Sequence, residues 1–286
     1  MLPEVARESC FAIHGGTAIN LFVQNMPRLS VDIDLTYIHT DDRVTALAAI
    51  DTALKSIISR LRNRFPIIQI QYLKEEAKLN IVGNEAIIKV EVNLVKRGCF
   101  SAPVVMGLCD KARKDFGAYC EIQVVDEAHL YGGKICAALD RQHPRDLFDV
   151  RLILNSPGLS RDIMKGFIFY LISSNRSVFE LLFPNLKDQQ SVLSGQFAGM
   201  SSMPFSYEEF ESTRSRLLEL LHRNLTSEDR DFLVSLERGE PKWHLYDFKD
   251  FPAVRWKMQN IDQLKNQNSS KHEALWQKLR SSLFPD

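Results

Sequence analysis

A glycine pair and a threonine, Gly15-Gly16-Thr17, are followed closely by two carboxylates one residue apart, Asp32-Ile33-Asp34, with Arg28 between the two groups. Carboxylates at alternate positions of an extended chain share one face and repel each other. Divalent cations between them would relieve that repulsion. Mg²⁺ (or Mn²⁺) takes hard oxygen ligands, and magnesium commonly binds one or two carboxylates plus substrate phosphate oxygens. A glycine turn that opens a helix aims backbone N–H groups at an anion and suits phosphate. A triphosphate on such a helix and cations on the next strand would meet, and Arg28 could neutralise phosphate charge. The segment is not an EF-hand loop, because it lacks the third acidic position, the central glycine and the closing glutamate.

Other residues could complete this chemistry. In "IIKVEVN" (87–93), Lys89 and Glu91 share one strand face while Ile88, Val90 and Val92 share the other. A two-metal site usually wants a third carboxylate, which Glu91 offers; a cross-strand charged pair on a solvated face is the structural alternative. Lys134 stands alone in the apolar "LYGGKICAAL" (130–139), either snorkelling to the surface or reaching a phosphate. Asp146 and Asp149 are three apart in "HPRDLFDV" (143–150), hence neighbours on one helix face. Asp146, in the first turn, also complements the helix dipole. Arg145 reads equally as a phosphate contact or an ion-pair partner. Ser30 could bond phosphate, orient a carboxylate or cap the start of a strand. His14, just before the glycines, fits a satisfied core or rim histidine better than a catalytic one.

The elements that must hold these residues follow from periodicity. "CFAIHGG" (10–16) reads as an apolar strand, preceded over 2–10 by the tail of a helix. "TAINLFVQNM" (17–26) reads as a helix with Ala18, Leu21, Phe22 and Met26 on one face, ended by Pro27. "SVDIDLTYI" (30–38) alternates as a half-buried strand, Val31, Ile33 and Leu35 opposite the two aspartates. A long amphipathic helix is expected over 41–65, and strands over 67–74, 86–98 and 118–126, with a Gly-Asn turn signal at 83–84. Helices are expected over 127–142 and from 143 to 154, the latter with Pro144 near its first turn. The loop "NSPGLS" (155–160) is the best boundary, giving domains 1–156 and 157–286. Beyond it the chain is mainly helical. Thr226 and Asp229 match a capping box, Gly239 and Pro241 stop that helix, and 267–273 reads as a surface loop.

The totals bound the answer. The 286 residues are 45% hydrophobic and 25% charged, which is ordinary for a globular protein with a real core. Lys+Arg and Asp+Glu are both 36, so a globally basic nucleic-acid binder is excluded, though a local basic face is not. Five cysteines without a C-x-x-C suggest reduced, mostly buried thiols of a cytoplasmic protein rather than a disulfide framework or a zinc site. No signal peptide is visible, and the apolar run 166–172 is too short to span a bilayer.

"FAIHGGTAINLF…MPRLSVDIDLTY" resembles the AbiEii/MenT-type nucleotidyltransferase toxins, within the polymerase-beta-like nucleotidyltransferase superfamily. The likeness extends to "IIKVEVN", "YGGKICAALDRQHPRDLFDV" and "PAVRWKMQN", and so to most of the chain. It implies an α+β fold: a nucleotidyltransferase-like N-terminal domain with a mixed β-sheet flanked by helices, then a mainly helical C-terminal domain. It implies a magnesium-dependent enzyme whose metals are held by Asp32, Asp34 and Glu91, Glu91 standing where an aspartate is often found. Gly15, Gly16 and Thr17 would hold the triphosphate, with Arg28, Ser30 and Lys134 in support. The resemblance pairs Asp149, rather than Asp146, with Lys134. It also implies transfer of NMP from an NTP to an acceptor, with the tRNA 3′ end the leading candidate, in a phage-defence or toxin–antitoxin setting with a cognate antitoxin. A protein or small-molecule acceptor, or a non-catalytic RNA- or partner-binding module, are the alternatives. Arg214, Arg216, Arg223, Arg255 and Lys257 lie among aromatics including Trp243 and Trp256. That mixture suits a single-stranded RNA end, or else buried tryptophans and solvated charges.

Overall fold

The computed structural model describes every residue except Val31, Asn84, Glu85, Pro157 and Asp286. The expected place of Val31 on its strand and the turn position Asn84 therefore lie outside the described residues. The chain opens with α1 (Leu2–Val5) and β1 (Phe11–His14), then α2, whose α-helical turn Gly15–Ala18 continues as a π-helical turn Ile19–Val23. β2 (Ile33–Tyr37), α3 (Arg43–Arg64), β3 (Gln69–Leu73), β4 (Lys78–Val82), β5 (Ile87–Val92), β6 (Val104–Gly107), α4 (Asp110–Phe116), β7 (Glu121–Val124) and α5 (Glu127–Arg141) follow.

The strands form a seven-stranded mixed sheet in the order β3-β4-β5-β2-β1-β7-β6. β2 runs parallel to β5 and β1 parallel to β7, and the other neighbouring pairs are antiparallel. Alternation separates the two faces of the sheet. Ile33, Leu35, Leu79, Ile81, Val90 and Val92 are buried, whereas Lys89 and Glu91 are exposed. α3 supplies the cover for the apolar face. Its buried stripe runs Ala46, Ile50, Ala53, Leu54, Ile57, Ile58, Leu61, the 3.6-residue repeat of an amphipathic helix. The Tyr72 hydroxyl of β3 donates to Asp51 Oδ1 on α3 at 2.7 Å. Asp42 fixes the start of α3 by accepting from the backbone N–H groups of Val44 and Thr45.

α6 (Pro144–Asn155), α7 (Arg161–Ile172), α8 (Val178–Leu182), α9 (Gln190–Val192), α10 (Tyr207–Asn224), α11 (Ser227–Glu237), α12 (Pro252–Gln267) and α13 (Ser269–Leu283) complete the chain, with no strand among the described residues beyond β7. Packing divides it into two compact units. The first is Met1–Leu130 with Gly199–Pro204, and the second is Tyr131–Ala198 with Phe205–Asp286. The division falls within α5, and the sequence boundary at 156/157 lies inside the second unit, between α6 and α7. Thr226 and Asp229 form the expected capping box of α11, and Gly239 follows it at φ +84°. Among the described residues no helix is long and apolar enough to cross a membrane, and all five cysteines are free thiols.

Several elements differ from the sequence expectation. α2 ends at Val23, four residues before Pro27, because wide backbone bonds close it: Gln24 N donates to the Ile19 carbonyl at 2.7 Å and Met26 N to the Asn20 carbonyl at 2.9 Å. β4, β6 and α4 were not expected; β4 is a five-residue strand with Leu79 and Ile81 buried. The stretch 267–273 is not a loop. Asn268 alone breaks the helix, and its side chain accepts from Lys271 N to start α13.

Candidate active site

Strand register brings the first set of residues together. In the β1–β2 pair His14 lies opposite Asp34, in the β2–β5 pair Asp34 lies opposite Glu91, and in the β4–β5 pair Glu91 lies opposite Lys78. Directly opposed residues share a face, so Lys78, Glu91, Asp34 and His14 form one polar row across four strands. Lys78 Nζ sits 3.3 Å from Glu91 Oε2, and the Glu91 side chain is 53% exposed. Asp32 directly precedes β2.

The glycines meet this row at the start of α2. Gly15 adopts φ +71°, a conformation that favours glycine, and a Cβ there would strike the Asp34 carboxylate. A Cβ on Gly16 would lie 2.8 Å from Arg28 Nη2 and 3.0 Å from Ser30 Oγ. Thr17 is buried; its hydroxyl donates to the Asp32 carbonyl and lies 3.0 Å from Ser30 Oγ. Arg28, also buried, donates from Nη1 to the Leu29 carbonyl at 2.9 Å. The chain around it is pinned by Leu29 N donating to the Met200 carbonyl at 2.8 Å. Gly15, Gly16, Thr17, Arg28, Ser30, Asp34 and the Asp32 backbone thus form one contiguous group, with Glu91 beside it.

The fit to magnesium rests on the chemistry of these donors. Asp34 supplies hard oxygens beside a backbone cradle that a Cβ would fill, with the Asp32 carboxyl two positions earlier in the chain, which suits an ion that binds few protein ligands and shares the rest with phosphate and water. Among the described residues no pre-assembled three-carboxylate cage is present. Among the described residues no group of three or more His, Cys, Asp or Glu side chains is placed to hold a metal ion, and the described ion pair of Glu91 is with Lys78.

Lys134, Asp146 and Asp149 form a cluster in the second unit. Lys134 Nζ lies 2.9 Å from Asp146 Oδ1 and 3.1 Å from Asp149 Oδ2, and all three side chains are buried. The lysine is therefore not snorkelling, and it engages both acids rather than Asp149 alone. Arg141 adds a second cation, 2.8 Å from Asp146 Oδ2. Burial pushes the Asp146 carboxyl upward, but Lys134 and Arg141 outweigh it and hold the group below its ordinary value. Sequence reasoning missed Lys78 and Arg141. The Leu79/Ile81 alternation could have revealed the strand that carries Lys78.

Four of the basic residues named for an RNA end make contacts within the protein. Arg214 is buried and donates to Gln142 Oε1 at 3.0 Å and to the Lys187 carbonyl at 2.8 Å. Lys257 is buried and donates to the Arg176 carbonyl at 2.6 Å. Arg216 reaches Asn155 Oδ1 at 3.1 Å and Arg255 reaches Asp250 at 2.7 Å. Trp243 packs edge-on against Phe232, whereas Trp256 is exposed rather than buried against a helix.

A mixed sheet that sets an aspartate strand against a glycine-opened helix has the form of a nucleotidyltransferase, an enzyme that moves NMP from an NTP. The family "Nucleotidyl transferase AbiEii toxin, Type IV TA system" matches residues 2–260, and the chain belongs to that family. Its fold is similar to that of MenT4, nucleotidyltransferase toxin Rv2826c from Mycobacterium tuberculosis H37Rv, with TM-score 0.56 and 15% identity over 96% of this chain and 86% of that one. No curated protein matches in sequence. Membership of a toxin–antitoxin family implies an NTP substrate and an antitoxin partner.

Proposed function

We propose that the chain is a magnesium-dependent toxin that transfers NMP from an NTP to the 3′ end of tRNA in the cytoplasm. One observation carries the reading: Asp34 is packed against Gly15 at the opening of α2, with Arg28 and Ser30 against Gly16. In this reading the backbone of Gly15–Thr17, with Arg28 and Ser30, holds the triphosphate. Asp32 and Asp34 would hold magnesium, which when bound supplies neutralisation of phosphate charge. The acceptor hydroxyl attacks the α-phosphorus in line; the new O–P bond forms as the α–β bridging bond breaks and pyrophosphate departs. Glu91, half exposed and opposite Asp34, takes the hydroxyl proton. Positioning and charge neutralisation supply most of the catalysis. Lys134 and Asp149 enter as the pair that the resemblance places at the triphosphate. Lys134 is committed to two carboxylates, so reaching a phosphate would require it to exchange one of them.

The test is incubation of the purified protein with each labelled NTP, magnesium and total tRNA. Label on the tRNA 3′ end is expected with wild-type protein. Asp34→Ala is expected to lower it by at least about 10²-fold with an unchanged melting temperature. Label on protein, or activity in Asp34→Ala, would refute the assignment.

A further inference from the structure

Glu91 stands between a cation and a second carboxylate. Lys78 opposes it in the β4–β5 pair, with Lys78 Nζ 3.3 Å from Glu91 Oε2. Asp34 opposes it from the other side, in the β2–β5 pair. Neighbouring strands lie about 4.8 Å apart, so the Glu91 carboxylate can turn to either neighbour. Turned toward Asp34, it would share a divalent cation with that aspartate. Turned toward Lys78, it would not, and the structure has it at Lys78.

Local structure makes Lys78 a fixed point rather than a loose surface charge. β3 and β4 are joined by one 3₁₀ turn, Lys74–Glu76, which closes at Ala77 with φ +48° and ψ +48°. That left-handed conformation is costly for a residue with a Cβ and is kept only where the surroundings enforce it. Ala77 is buried; its N–H donates to the Lys74 carbonyl at 3.0 Å, and its carbonyl accepts from Val92 N at 3.1 Å. The next residue, Lys78, is thereby held in register with Glu91. Leu73 opposes Lys78 on its other side, and the lysine side chain is 21% exposed against 53% for Glu91. Lys89 gives the contrast. It shares the face of Glu91 two residues earlier on β5, is exposed, and makes no ion pair among the described residues. Glu91 pairs with the anchored lysine, not with the one beside it on its own strand.

We infer that Lys78 is a positioning residue of the transfer reaction: it holds the Glu91 carboxylate away from the cation site at Asp32 and Asp34 and so reserves it for the proton of the acceptor hydroxyl. The inference rests on the proposed function, in which those two aspartates hold magnesium. It accounts for two carboxylates that act as ligands beside a third that acts as a base. An ion pair this exposed biases Glu91 by a factor of a few, not by orders of magnitude. Lys78 therefore tunes the site rather than building it.

The test is a titration of the full chain with Mn²⁺ in place of magnesium, without NTP, the free ion being read by electron paramagnetic resonance. Lys78→Met is expected to raise Mn²⁺ affinity about threefold to fivefold, because the released Glu91 joins Asp34, and to lower the rate of tRNA labelling. Lys78→Arg keeps the charge and should restore both. Lys89→Met removes an equal charge from the same face and should leave Mn²⁺ affinity unchanged. In a Glu91→Gln background, Lys78→Met should no longer affect Mn²⁺. Unchanged Mn²⁺ affinity in Lys78→Met would overturn the inference. So would an equal rise in Lys89→Met, or a rise that persists with Glu91→Gln, since either would show a general charge effect. Failure of the underlying reading looks different. Mn²⁺ binding that Asp34→Ala leaves intact would remove the magnesium assignment and this inference with it, whereas Asp34-dependent binding indifferent to Lys78 would remove this inference alone.

Discussion

At the scale of single residues, two positions separate structural from chemical roles. Gly15 holds a left-handed backbone angle and faces Asp34 with no room for a methyl group. Gly15→Ala should cost about 1 kcal/mol or more of stability and displace Asp34, so transfer should fall much further than the melting temperature. Equal transfer in wild type and variant would show that Asp34 tolerates the displacement. Lys134 is the opposite case. Its ammonium sits on two buried carboxylates, and removing one member of a buried charge cluster leaves the others uncompensated. Lys134→Met should therefore lose about 3–5 kcal/mol in urea unfolding, whatever it does to activity. A purely triphosphate-binding lysine would lose activity at constant stability, and the two measurements together decide between the roles.

At the scale of elements, Gly132 inside α5 has a packing reason. A Cβ on Gly132 would run into the backbone of Gly166 and Phe167 on α7, so the two helices touch main chain to main chain there. Gly132→Ala must push them apart, at a cost of about 1–3 kcal/mol, read as a lowered urea midpoint. An unchanged midpoint would mean that the crossing relaxes freely. That helix was legible in the sequence despite its glycines, because Ile135, Ala138 and Leu139 keep the apolar period; the reason for Gly132 was not, since it lies 34 positions away along the chain, at Gly166. The same division runs through the site. Gly15, Gly16, Asp32 and Asp34 could be read because one strand–helix–strand segment carries them all. The row that joins Glu91 to Asp34 and Lys78 to Glu91 depends on strand order, which local periodicity does not encode; the Leu79/Ile81 alternation hints at β4 but not at which strand it pairs with. The basic residues of the second unit were ambiguous for a related reason. Arginine and lysine near aromatics look alike whether they face solvent or, like Arg214 and Lys257, bind buried carbonyls.

At the scale of the whole molecule, the buried titratable groups predict how the fold responds to acid. His129 is 1% exposed, with its ring against Phe100 at 4.9 Å and His14 at 5.6 Å, and its backbone N–H donates to Asp126 Oδ1. Burial pushes its pKa down to about 3. An unfolded chain protonates the same ring near its ordinary value of about 6.5, so the unfolded state binds the proton first as pH falls. The stability held by the neutral ring is complete above that value and is lost progressively from there down to about 3. At pH 5 the loss from this residue alone should be about 2 kcal/mol. His143 and His222, lowered mainly by burial, add losses of the same sign. Carboxylates act later. Burial pushes the Asp229 carboxyl upward, but hydrogen bonds from Arg161, Tyr246 and the Thr226 backbone outweigh it and hold it low. Its contribution, like that of Asp146, persists above the ordinary carboxylate range and disappears as pH falls below it. Acid destabilisation should thus begin well before the carboxylates titrate. Urea unfolding at pH 7.5 and pH 5.0 tests this against His129→Phe, which keeps an aromatic ring but cannot charge. Wild type should lose about 2 kcal/mol more than the variant between the two pH values; parallel losses would mean that His129 finds a way to hold its proton in the folded chain.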